Sequence, residues 1–183
     1  VAFIGFWFGG AEAERVPVLA WFISGNLGVD GALHIDTLTV VMLVVVNTDK
    51  ARGYVDSIGY MAHDPCRPRF FAYLSMFTFA MLALVTADNL VQLYFGWEGV
   101  GLASYLLIGF WWERPSANAA AIKAFIVNRV GDFGFALGIF AVFVLFNSVD
   151  YDTIFANAPT FVGKAFHFLS WNLDALTVVC LLL

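Results

Sequence analysis

One glutamate, Glu98, stands alone in an otherwise uncharged stretch of 24 residues running from Asn89 to Trp112. As a helix rising about 1.5 Å per residue, the stretch measures ~36 Å, enough to cross the ~30 Å hydrocarbon core of a bilayer. Glu98 is its tenth residue, which places it well inside the membrane. A carboxylate at that depth costs about 2.5 kcal/mol or more, and intramembrane acids characteristically belong to ion or proton pathways. The competing use is structural, an acid hydrogen-bonded within a helix bundle. Composition agrees with a membrane chain: 61% of the residues are hydrophobic and 13% charged, against about 45–50% and about 25% in soluble domains. The net charge of −5 is thinly spread and has no basic patch, which argues against nucleic-acid binding. Cys66 and Cys180 lie far apart in unlike surroundings and define neither a disulfide framework nor a metal-ligand spacing.

The pattern predicts an all-α, polytopic transmembrane helix bundle. Residues 1–32 read as the end of a transmembrane helix, VAFIGFWF, followed by a non-cytoplasmic loop, in part extended, with Gly9, Glu12, Pro17, Gly25 and Gly28. Helices follow at about 33–47, 70–87, 89–112 and 117–146, and a last one, cut short, at 173–183. Both ends of the chain are accordingly expected to be incomplete, as in an internal fragment. Between Val46 and Ser57 the first helix meets Asp49, Lys50, Arg52 and Asp56. It must either end early or carry these charges to lipid depth. Loops at 47–69 and 113–116 hold Lys50, Arg52, Arg67, Arg69 and Arg114, whereas those at 9–31, 88–89 and 147–172 hold only Arg15 and Lys164. The excess of cations makes the first set cytoplasmic or matrix-facing.

Candidate chemistry gathers on two helices. Glu98 is flanked by Gly96, Gly99 and Gly101, small residues that let neighbouring backbones approach or leave room for water. Burial and a nearby cation move a carboxylate's protonation in opposite senses, so such a site responds when a partner charge approaches. On the next helix Arg129 and Asp132 are three apart and share a face, as an intrahelical ion pair or as part of a proton path. Gly134 and Gly138 follow in a close-packing spacing. Lys123 lies nine residues from Asp132, about half a turn out of phase, and either joins the path or snorkels to the interface. His34, His63 and His167 read as polar boundary or loop residues. The sequence contains no phosphate loop, no CxxC cluster and no Ser-His-Asp arrangement.

Three runs are more specific: SIGYMAHDP with RFFAYLSMF, then LVTADNLVQLYFGWEGVGLASYLLIGFWW, then AAAIKAFIVNRVGDFGFALGIF. Together they resemble the antiporter-like membrane subunits of respiratory NADH-quinone oxidoreductase (complex I), in the branch called subunit L in bacteria and chain 5 in mitochondria. The resemblance implies a proton-translocating subunit of an enzyme complex, with other membrane subunits, the lipid bilayer and protons as partners. NADH, FMN, iron–sulfur clusters and quinone would be handled by partner subunits, leaving no redox centre in this chain. It also implies that Glu98 is the proton-channel glutamate, that Asp132, Arg129 and Lys123 are charged residues of the membrane axis, and that a partner lysine lies on the helix beginning near Leu173. The implied location is the bacterial inner membrane, ahead of the mitochondrial one. The block DKARGYVD departs from the apolar continuation usual in the family, without change of length, as two compensating frame slips or genuine divergence would produce. A multisubunit sodium/proton antiporter subunit and a structural membrane anchor are the alternatives.

Overall fold

The computed structural model of the chain describes residues 14–24, 27–161, 165–168, 171–174 and 177. Two antiparallel strands, β1 (Glu14–Ser24) and β2 (Leu27–Ile35), lead into four long helices. These are α1 (Thr37–Tyr60), α2 (Arg67–Val85), α3 (Leu90–Ile108) and α4 (Pro115–Phe146). A short helix α5 (Tyr151–Asn157), a 3₁₀ turn (Ala158–Phe161) and a second hairpin, β3 (Ala165–Phe168) with β4 (Trp171–Asp174), complete the described chain. The architecture is therefore a helical bundle carrying two small hairpins, where the sequence suggested helices joined by loops. The register of β1 against β2 shifts at Pro17/Leu19 and again at Ala20/Phe22. Proline cannot donate to the ladder, and such bulges accommodate it.

Local chemistry sets the helix ends. Asp36 caps α1, its carboxylate accepting from the Thr39 amide at 2.7 Å. Burial alone would raise this carboxyl, but hydrogen bonds from Thr39 outweigh it and hold Asp36 below the usual range. Asn89 caps α3 in the same way, accepting from Gln92 at 2.9 Å. Pro115 opens α4, a position where the missing amide hydrogen leaves nothing unpaired. Asn147 closes α4 with φ 51°, the left-handed conformation that ends many helices.

The first helix runs past residue 47 to Tyr60, through the whole charged block. Three of the four charges have a neighbour to meet them, and Asp49 is exposed. The Lys50 ammonium lies 3.7 Å from the centre of the Phe77 ring, and Arg52 faces Asp56 at 3.7 Å on the exposed side. No proline intervenes before Pro65, so the backbone has no reason to break. The turn falls at residues 61–66 instead. Among the described residues two helices are long and apolar enough to cross a membrane, Arg67–Val85 and Pro115–Phe146. The helix carrying Glu98 is not one of them. It stops at Ile108 rather than 112, and Gln92, Glu98 and its glycines dilute its apolar content. At the other end of the chain residues 171–174 form a strand rather than the start of a helix. The expected helix at 173–183 and the apolar run at 1–8 otherwise lie outside the described residues, Thr177 alone being helical.

Turns gather at the two ends of the bundle. At one end Trp111 Nε1 donates to Asp64 at 3.0 Å and Arg69 donates to the Phe110 carbonyl at 3.1 Å, joining the α1–α2 and α3–α4 turns. At the other, Val29, Leu90, Ile139, Val142 and Val149 form a buried apolar cluster under the first hairpin. Between the ends, α2 and α3 touch backbone to backbone. A Cβ on Gly96 would sit 2.6 Å from the Leu84 nitrogen, and one on Gly99 would sit 2.9 Å from Ala80 Cβ. Gly134, expected in a close-packing pair, meets nothing within 4 Å. Gly96→Ala is therefore expected to overpack the α2–α3 contact by about 1–3 kcal/mol. Reduced yield of the assembled protein should follow, whereas Gly101→Ala, whose nearest neighbour is 4.0 Å away, should assemble normally.

Candidate functional site

The close approach of α2 and α3 fixes one wall of the site, and α4 supplies the other. Glu98 on α3 and Asp132 on α4 both face Arg129. One guanidinium nitrogen, Nη1, pairs with Glu98. The Nε of the same group lies 3.4 Å from Asp132 Oδ2. Arg129 thus stands between two carboxylates, one on its own helix and one across the interface, and its planar head rests 4.7 Å from the centre of the Phe125 ring. Asp132 is 4% exposed; it is the most deeply buried of the three. All three lie near the middle of their helices, α3 being 19 residues long and α4 32.

Glu98 and Arg129 also open on a lateral cavity of ≈ 420 Å³, walled by Met76, Phe79, Phe95 and Leu102. The walls are apolar and the polar groups few, yet the space exceeds what a single water needs. Lys123 takes no part. It is exposed and forms no ion pair among the described residues. Its spacing from Asp132 along α4 corresponds to ~13 Å, toward the end of the helix that begins at Pro115. The structure therefore brings Glu98, Arg129 and Asp132 together and leaves Lys123 outside.

Two sets of residues passed unnoticed in the sequence. Trp97, next to Glu98, sends its indole N–H across to Asp132 Oδ1 at 2.8 Å, and Tyr94, one turn earlier, faces Glu98. A tryptophan beside a membrane acid is a usable signal, because a buried indole N–H seeks an acceptor. The second set lies at the hairpin end. Asp88, 3% exposed, pairs with Arg15 at 2.6 Å and stands 3.5 Å from His34 Nδ1. Asp150 completes the group at 4.0 Å from Arg15. Asn89, fully buried, donates to the Asp30 carbonyl at 2.8 Å, and the Ala32 amide donates to Gln92 at 3.3 Å. These contacts dock the hairpin on the start of α3. No spacing rule joins residues so far apart in sequence, so His34 read only as a boundary residue.

Burial raises the Asp150 carboxyl, with Asp88 adding to the effect and Arg15 opposing it. A carboxyl whose folded value exceeds the ordinary 3.8 contributes stability below that value and loses it as pH rises through the folded one. Asp150→Asn, neutral at every pH, is expected to tighten hairpin docking at pH 7 and to match the natural chain in acid. Hydrogen exchange of the β1–β2 amides, corrected for intrinsic rates, measures the difference.

Comparison with known proteins now bears on this geometry. Residues 87–182, which hold the whole site, match the family model described as NADH:quinone oxidoreductase/Mrp antiporter, transmembrane. The chain belongs to this family. Residues 21–71 match a second model, the N-terminus of NADH-ubiquinone oxidoreductase (complex I) chain 5. An NADH-quinone oxidoreductase subunit L from Rhodobacter capsulatus is 56% identical over 180 residues, covering 94% of this chain and 25% of the relative. An NADH-ubiquinone oxidoreductase chain 5 from Chondrus crispus is 54% identical over 166 residues, covering 91% and 25%. The chain thus spans about a quarter of the length of these relatives. Among solved structures, the Mrp complex from Dietzia sp. DQ12-45-1b aligns over 98% of this chain and 18% of its own, with a TM-score of 0.76 and 20% identity. The likeness identifies the fold as antiporter-like, and a family of transmembrane proteins places the chain in a membrane.

Proposed function

We propose that the chain is a proton-translocating, multi-pass part of the subunit L or chain 5 type of NADH-quinone oxidoreductase. In this reading it couples electron transfer from NADH to quinone, carried out in partner subunits, to proton movement through the membrane. The cofactors of that electron transfer, FMN and iron–sulfur clusters, belong to those partners. The turns joining α1 to α2 and α3 to α4 face the cytoplasm, where Arg67, Arg69 and Arg114 lie, and the membrane is the bacterial inner one. Relatives of mitochondrial type make the mitochondrial inner membrane the second choice.

One observation carries the reading: a single guanidinium is shared by two carboxylates near the middle of α3 and α4. Each buried charge is costly, by roughly 2.5–3.5 kcal/mol on insertion scales. Three of them together are costlier still when their signs do not balance. Here two acids face one cation, which leaves one negative charge in excess. One proton neutralises it. Of the two carboxylates Glu98 is the one that borders the cavity, so it is the natural point for a proton to enter and leave, with Arg129 as its movable counter-charge and Asp132 as the anchor on α4. Lys123, exposed and apart, has at most an outer role, at the end of α4 where a proton would be delivered.

The family description names antiporters as well as oxidoreductases, so a sodium/proton antiporter subunit is the second reading. The genes adjoining this one discriminate the two, since each class is built from a different set of subunits. Glu98→Gln keeps the size of the side chain and removes its charge change. In membrane vesicles carrying the assembled complex it is expected to lower proton translocation per electron well before it lowers assembly. An unaltered ratio in an intact complex would remove Glu98 from the path. Asp132→Asn is expected to do more damage, because it takes the charge from a buried carboxylate and leaves Arg129 one partner fewer. Breaking such pairs typically costs about 3–5 kcal/mol, so the amount of assembled complex should fall together with pumping.

A further inference from the structure

Asp132 makes one hydrogen bond among the described residues, and it comes from Trp97. Arg129 Nε lies within ion-pair distance of the other carboxylate oxygen, at 3.4 Å, but that nitrogen is buried without a hydrogen-bond partner. Arg129 directs its terminal nitrogen to Glu98 instead. The two neighbours Trp97 and Glu98, consecutive on α3, therefore divide the pair on α4 between them. Glu98 takes the cation. Trp97 takes the anion.

We propose that Trp97 is the positioning residue of this site: its indole N–H holds Asp132 in place, so that Arg129 is free to serve Glu98. The inference deepens the proton-relay reading and rests on it. Indole is suited to the task because it donates one hydrogen bond, carries no charge and has no proton to lose in the working range. A lysine or arginine in its place would compete with Arg129 for both acids. A hydroxyl would turn and accept as readily as it donates. The indole ring, half exposed overall, packs edge-on to Phe135 of α4 at a centroid distance of 6.1 Å. With the N–H gone, Asp132 would retain one unfilled face and draw Arg129 Nε inward, away from Glu98. The loss would therefore be felt at a residue that Trp97 does not itself hydrogen-bond.

Trp97→Phe, introduced into the full-length subunit within the assembled complex, tests this. Hydrogen bonds to charged groups are worth about tenfold or more in an equilibrium, so coupled proton uptake in vesicles is expected to fall about tenfold at normal assembly. In an Asp132→Leu background the same change should cost little, because the acceptor of the indole N–H is gone; less than about a twofold further loss is expected. Where Trp97→Phe lowers assembly, benzothienylalanine at position 97 keeps the bicyclic outline and lacks only the N–H, and the same losses are expected of it. Full activity of Trp97→Phe beside an impaired Asp132→Asn overturns the inference and leaves the relay standing. So do losses that combine in full, since Trp97 would then act independently of Asp132. Full activity of both Glu98→Gln and Asp132→Asn overturns the relay itself, and with it any role for Trp97 in it.

Discussion

The fold of this chain is arranged around one shared cation. Arg129 belongs to α4, pairs across the interface with Glu98 of α3, and lies near Asp132 one turn along its own helix. Asp132 is buried and Glu98 and Arg129 are partly so, so each depends on the others for compensation. That mutual dependence fixes the rotation of α3 against α4. It turns the two acids toward one point and leaves the broad apolar faces, with Val130, Phe133 and Phe140 exposed, to lipid or to neighbouring helices.

Two features outside the site hold it steady. Gly96 and Gly99 bring α3 against α2 at backbone distance, which fixes the side of α3 away from α4. The hairpin, locked by Arg15 on Asp88 and by Asn89 on the Asp30 carbonyl, anchors the first turn of α3. About ten residues separate that anchor from Glu98, or ~15 Å along the helix. Between anchor and site the helix is a rigid rod. Substitutions at the hairpin end are thus expected to act on assembly, and substitutions at the centre on function.

Much of this was legible from residue order alone. A lone acid in an apolar run identifies Glu98, and the i, i+3 spacing puts Arg129 and Asp132 on one face. That Arg129 also reaches Glu98 depends on how α3 and α4 are rotated against each other, and no spacing within either helix reports it. Trp97 escaped for the same reason, since its acceptor lies 35 residues away. The charged block at 49–56 misled in a different way. Four charges argue for a break when counted against the bilayer, yet a helix can send them outward or over an aromatic ring one by one, as Lys50 does over Phe77. The first hairpin was read as a loop, in part extended, because Pro17, Gly25, Gly28 and scattered charges signal turns; β1 is exposed along most of its length and shows no alternation of a half-buried strand.

Infrared difference spectroscopy of the assembled complex, recorded with and without turnover, addresses the shared-cation account most directly. The account expects a protonated-carboxyl band that changes during turnover and disappears when Glu98 is replaced by glutamine. It also expects the band to shift when Arg129 is replaced by lysine, which keeps the charge but loses the planar fork that reaches both acids. A carboxyl spectrum unaltered by turnover, or one that changes identically with and without Glu98, would contradict it.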